Sequence, residues 1–187
     1  VTARHVRITG VDLSLTSTGI ARITVDPDGT PSTYTTTVGR TGEANETLLQ
    51  RWMRIDDLAC AVNCEVTTPD LVLIEGPAYA AKFGHPHDRS GAWWLLVDAL
   101  HTAGIPVAEV PPPVLKTWVT GRGNAAKPVV TQRVVEHYGD AFTLPLGAGR
   151  ADVADAIGLA TLGAAYLGAP LVALPETHTR ALASVRW

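Results

Sequence analysis

Cysteine, the residue that builds disulfide or thiolate–metal frameworks, is scarce, with two among the 187 residues, as are methionine, with one, and phenylalanine, with two. Cys60 and Cys64 stand four apart on an expected helix, and no further thiol lies near them to complete a zinc site. A disulfide between them would strain the helix, so they are expected as buried free thiols in a reducing cytoplasm. An excess of positive charge is also missing. The formal net charge is −3, which argues mildly against a nonspecific coat for nucleic acid. It leaves room for clustered carboxylates offset by basic residues elsewhere. The opening VTARHVRITG lacks the long apolar stretch and cleavage site of a secretory signal, so a cytoplasmic protein is expected. The most apolar stretch, residues 154–174, carries Asp155, several glycines and Pro170. It reads as a buried core helix followed by a turn, not as a membrane span.

What remains is the composition of a folded chain, with 46% hydrophobic and 18% charged residues, which excludes disorder. The length suits one domain over residues 1–187. Residues 6–15 alternate and then run apolar, as a strand does; residues 19–25 give a second strand. Asp26-Pro27-Asp28-Gly29 is strong turn chemistry, and residues 32–38, rich in Thr, complete an antiparallel meander. A helix is expected over 43–62, from the spacing of Leu48, Leu49, Trp52, Met53, Ile55 and Leu58. Residues 70–74 form a continuous apolar run, suited to a strand buried on both faces. Helices are then expected over 90–103, from Val114 to the glycines at 121 and 123, from Pro128 to Tyr138, and over 151–167, with a strand at 105–110. The order implies an α/β fold: a mixed five-stranded sheet, antiparallel meander plus parallel strands, flanked by helices.

Four carboxylates stand out. Asp12 lies at the end of the first strand, where Asp is disfavoured unless it caps a turn or does chemistry. Glu75 closes LVLIE, and ligands in open α/β sheets collect at the carboxyl ends of strands. Asp152 and Asp155 are spaced i, i+3 and so share one helix face, although Asp in a first helical turn also has a purely structural use. Two strand-end carboxylates and a helical pair together form an oxygen-donor set suited to hard cations such as Mg²⁺. Two such ions can activate water and stabilise the leaving oxygen in phosphodiester hydrolysis. Lys116 follows a triple proline, with Arg122, Lys127 and Arg133 close by in sequence; these bases suit either phosphate contact or a solvated helix face.

Four segments, in order, carry a family likeness: GVDLSLTSTGIA around Asp12, LVLIEGPAYAAKFG around Glu75, VPPPVLKTWVTGRGNAAKPVV with Lys116 and Lys127, and ADVADAIGLA with Asp152 and Asp155. The chain resembles the RuvC family of Holliday-junction resolvases, within the ribonuclease H-like superfamily. The resemblance implies two Mg²⁺ ions (or Mn²⁺) held by Asp12, Glu75, Asp152 and Asp155, with Lys116 and Lys127 contacting phosphate near the cut. It implies paired nicks in a four-way junction, leaving a 5′-phosphate and a 3′-hydroxyl, by a homodimer. Tyr79, Lys82 and Arg122 join the expected DNA contacts. Trp93 and Trp94 fall in the helix that would pack at the dimer interface; adjacent on a helix, they should point one inward and one outward.

The likeness has departures: Leu13-Ser14 replaces a Pro-Gly after Asp12, and Ala78 replaces the aromatic three residues past Glu75, with Tyr79 next to it. His85 and His87 have no assigned role. A related nuclease acting on flaps, branched DNA or RNA–DNA hybrids, a noncatalytic junction-binding protein, and an actin-like ATPase are the competing readings. The last ranks lowest, because that fold normally needs two such domains.

Overall fold

The computed structural model describes residues 4–77 and 85–185. Five strands form one sheet: β1 (Val6–Asp12), β2 (Thr18–Val25), β3 (Pro31–Val38), β4 (Leu71–Glu75) and β5 (Val107–Val110). Their spatial order is β3-β2-β1-β4-β5. The β1–β2 and β2–β3 pairs are antiparallel, and β4 and β5 run parallel to β1. The expected mixed sheet is therefore present, with β1 at its centre.

The meander is closed by local chemistry. In the Asp26–Gly29 turn the Gly29 N–H donates to the Asp26 carbonyl, and Gly29 takes φ 88°, a region that favours glycine. The first strand stops at Asp12, three residues short of the expected end. There the Thr18 hydroxyl accepts from the Ser14 N–H and donates to the Ser14 carbonyl, turning the chain toward β2.

Two helices cover one face, α1 (Leu48–Val66) and α2 (Pro86–Thr102). Between them and the sheet lie Val11, Ile20, Leu58, Val62, Val72, Ile74 and Leu96. The α1 start lies five residues past the expected one, because Thr47 and Gln50 form a reciprocal capping box. Its buried stripe is Arg54, Leu58, Ala59, Val62 and Val66. Leu48, Leu49, Trp52 and Met53 are exposed, so the apolar spacing at this end does not mark core. Cys60 and Cys64 are free but exposed, contrary to the expected burial; Cys60 sits one position round the helix from the buried Ala59. The α2 helix starts four residues before the expected point, with Pro86 in its first turn.

The other face carries α5 (Arg150–Tyr166), flanked by α3 (Pro112–Thr120) and α4 (Lys127–Tyr138). From Val153 to Ala164 every residue of α5 is buried, as expected of a core helix. Among the described residues no helix is long and apolar enough to cross a membrane. A short helix, α6 (Glu176–Thr179), and a 3-10 turn (Arg180–Ser184) follow; the sequence pattern predicted neither. They dock through Ala181 and Val185 and hold the end of α3, where His178 bonds the Trp118 carbonyl and Arg180 donates to the Gly121 carbonyl.

Candidate nuclease site

Side-chain alternation and the parallel pairing of β1 with β4 bring two carboxylates together. Ile8 and Leu73 belong to the α5-side core and Val11 and Ile74 to the opposite one. Asp12 and Glu75, two residues on from Gly10 and Leu73, therefore reach toward α5 from the carboxyl ends of neighbouring strands.

The helix can come close because glycine lines the sheet there. A Cβ on Gly10 would stand 2.2 Å from the Ala156 carbonyl oxygen, and one on Gly19 would stand 2.1 Å from that of Asp152. Both contacts are with backbone, which cannot move aside alone. These two positions set the depth of α5 and carry its Asp152 and Asp155 to Asp12.

The electrostatics show the convergence. Asp12 is buried, and burial pushes its carboxyl well above the usual range, aided by the charges of Glu75, Asp155 and Asp152 and opposed by Lys127. Glu75 is pushed up to about 7 by burial and by Asp155; Lys127, a hydrogen bond with Asp12 and the charge of Arg89 work the other way. Burial also raises Asp155, and Lys127 and Lys116 oppose it. Carboxylates so arranged favour a shared proton or a bound cation over full ionisation.

One cation of the chain already lies among them. The Lys127 ammonium is 2.9 Å from Asp152 Oδ1 and 3.3 Å from Asp155 Oδ2. Burial works against its charge, but the hydrogen bond to Asp152 and the charges of Asp155 and Asp12 outweigh that and raise its pKa. With the side chains so placed, no three His, Cys, Asp or Glu groups among the described residues stand ready to hold a metal ion. The donor set nonetheless suits Mg²⁺ or Mn²⁺. It offers hard carboxylate oxygens, with a charge surplus that the raised pKa values of three of its members register.

Of the other expected residues, Lys116 on α3 is near enough for its charge to act on Asp155. Arg122 is exposed in the turn after α3. Tyr79 and Lys82 lie outside the described residues. His85 caps α2 three residues before Asp88, whose carboxyl is held down chiefly by its hydrogen bond from Arg51, and His87 is exposed on the same helix. Trp93 points inward, at 8% exposure, and Trp94 outward, at 64%, as their adjacency predicted. Sequence reasoning missed two neighbours of Glu75: Arg89, through its charge, and Trp93, whose ring N–H donates to the Glu75 carbonyl at 3.0 Å. Both belong to α2, and no spacing pattern ties a helix position to a strand end this far away in sequence.

An acidic cluster at the carboxyl ends of two adjacent parallel strands, on a sheet ordered 3-2-1-4-5, places the chain among proteins of ribonuclease H-like fold. No protein-family model matches it. Over 185 residues it is 32% identical to the crossover junction endodeoxyribonuclease RuvC of Methylorubrum populi, covering 96% of this chain and 89% of that one. The RuvC of Methylobacterium radiotolerans is 34% identical over 180 residues, covering 92% and 79% respectively. In fold, the chain is similar to Thermus thermophilus RuvC, with a TM-score of 0.63 at 23% identity, covering 87% of this chain and 97% of that one. It is also similar to the yeast mitochondrial Holliday junction resolvase Ydc2, with a TM-score of 0.56 at 13% identity over 83% and 77% of the two chains. The chain belongs to the RuvC family.

Proposed function

We propose that this chain is a divalent-metal-dependent endonuclease that resolves four-way DNA junctions by paired nicks. The observation that carries the reading is the convergence of Asp12, Glu75 and Asp155 with Asp152 and Lys127. It supplies in one place the acidic donors and the phosphate-binding base that such a cut requires. A RuvC of similar fold has been solved with a Holliday junction substrate, which supports the choice of DNA. Residues 1–187 act as one nuclease domain in the cytoplasm.

Asp12, Glu75, Asp152 and Asp155 would hold two Mg²⁺ ions, with Mn²⁺ as a substitute. Bound there, the metal supplies a water of lowered pKa and neutralises charge on the attacked phosphate. The chain's own residues do the rest. Buried Asp12 and half-buried Glu75 keep the donor oxygens at the rigid end of the sheet. Lys116 and Lys127 contact the non-bridging phosphate oxygens and Arg122 the flanking backbone; Tyr79 and Lys82, which follow Glu75 in sequence, add further DNA contacts. Water attacks phosphorus and the bond to the 3′ oxygen breaks, leaving a 5′-phosphate and a 3′-hydroxyl.

A junction has two strands to cut, and a homodimer supplies two sites. Trp94 is exposed on α2, and Leu49, Trp52 and Met53 are exposed on α1, the helix packed beside it. Large apolar side chains left open on two adjacent helices are what a second copy would cover.

The test compares the wild type with Asp152→Asn on labelled four-way junction and linear duplex, with Mg²⁺ or with chelator. Ligatable paired nicks on the junction alone, lost in the variant and without metal, are expected. Preferential cutting of flaps or hybrids would replace the substrate. Tight junction binding without cutting in Mg²⁺ or Mn²⁺ would overturn the enzyme reading.

A further inference from the structure

The Glu75 carbonyl is the last of β4, and it takes its hydrogen bond from the side chain of Trp93, on the helix across the sheet from the carboxylate cluster. The same peptide is pinned at its other end as well, its Gly76 N–H donating to the Val110 carbonyl at 2.9 Å. A strand-end peptide held at both points has little freedom to rotate, and the Glu75 side chain rides on it. Trp93 does not stand alone. The ring of Trp94 meets it edge to face, with centroids 4.8 Å apart and planes at 87°. One end of this pair therefore reaches solvent and the other reaches the backbone of a candidate metal ligand.

We propose that the Trp93–Trp94 pair makes the metal site sensitive to subunit pairing: a second copy covering Trp94 fixes Trp93, and Trp93 fixes the peptide of Glu75. The inference rests on the homodimer reading above and assigns Trp93 as a positioning residue, which touches neither substrate nor metal. An exposed ring samples several rotamers, and covering it removes that freedom. Edge-to-face contact passes the restriction to the buried neighbour. A dimer would thereby hold a cation more tightly than a monomer, so that cutting competence follows assembly on both strands.

The experiment titrates Mn²⁺ into the full chain, reading the free ion by electron paramagnetic resonance, with sedimentation velocity on the same samples. Wild-type affinity should rise with protein concentration across the range in which dimer forms. Trp93→Phe keeps an aromatic ring but loses the N–H; it should stay dimeric and bind Mn²⁺ roughly five-fold more weakly, the loss of one hydrogen bond. Trp93→His retains a ring N–H in a smaller side chain and should recover part of that loss, which separates the bond from the lost volume. Trp94→Ala should shift the chain to monomer and weaken Mn²⁺ binding, and adding it to Trp93→Phe should cost nothing more. Wild-type Mn²⁺ affinity in Trp93→Phe would overturn the positioning role, as would equal losses in the Phe and His variants. Additive losses in the double variant, or a Trp94→Ala chain that stays dimeric, would overturn the coupling. A wild type monomeric at every concentration would instead sink the homodimer reading.

Discussion

Replacing Glu75 with Gln should make the metal-free protein more stable while abolishing its cutting. In the folded chain the Glu75 carboxyl is raised from 4.5 to about 7. Above pH 4.5 the unfolded chain has ionised this group while the folded one still holds the proton. Folding stability therefore falls as pH rises from 4.5 to 7, and the loss is complete above 7. At about 1.4 kcal/mol for each tenfold change in proton affinity, it amounts to about 3 kcal/mol. Glutamine carries no charge at any of these pH values and still offers Asp12 a hydrogen bond. In chelator at pH 8, Glu75→Gln should thus exceed the wild type by about 3 kcal/mol, roughly 6–12 °C in melting temperature for a chain of this size. At pH 4 the two should melt together. The assay is urea and thermal unfolding across that pH range, followed by circular dichroism. A variant no more stable than wild type at pH 8, or a gain equally large at pH 4, would refute the reasoning. Mg²⁺ should then raise the wild-type midpoint and leave that of the variant nearly unchanged.

Lys127→Met removes the ammonium that Asp152 and Asp155 hold; it should tighten Mn²⁺ binding severalfold in calorimetry while slowing junction cleavage, and weaker Mn²⁺ binding would contradict the competition between lysine and metal. Gly10→Ala sets a methyl group against the α5 backbone and should cost about 3 kcal/mol in urea unfolding, with cleavage lost even where the variant is folded. Asp88, 3% exposed, pairs with Arg51 and with the buried Arg54. Asp88→Ala leaves Arg54 with Glu46 as its remaining carboxylate partner and should cost about 1–3 kcal/mol in the same assay. Cys60 and Cys64, both exposed, should react with a thiol reagent in the native protein at rates close to those in denaturant.

Much of this molecule is written in local pattern. Alternation in residues 6–15, the Asp26–Gly29 turn and the unbroken apolar run before Glu75 each declare their element without reference to the rest of the chain, because strand period and turn geometry are properties of a few neighbouring residues. The same holds for Asp152 and Asp155, which a helix puts on one face whatever surrounds it, and for the opposed directions of Trp93 and Trp94. Element ends were less legible, since the Thr47–Gln50 capping box, not hydrophobic spacing, sets where α1 begins.

Tertiary structure alone decided the rest. Whether Leu48, Trp52 and Met53 are core or surface depends on where α1 stops covering the sheet, and the same apolar spacing serves both. The thiols of Cys60 and Cys64 point outward because Ala59 and Val62 take the inward positions. Arg89 and Trp93 reach Glu75 only when α2 lies against the sheet, a contact between residues 14 and 18 positions apart that no period encodes. Most of all, Gly10 and Gly19 look in sequence like ordinary strand glycines. Only the approach of α5 to backbone distance shows that a hydrogen in place of a methyl group lets Asp155 meet Asp12. Periodicity fixes which way a side chain points along its own element, but the distance between elements is set by packing, and the chemistry of this site is a matter of distance.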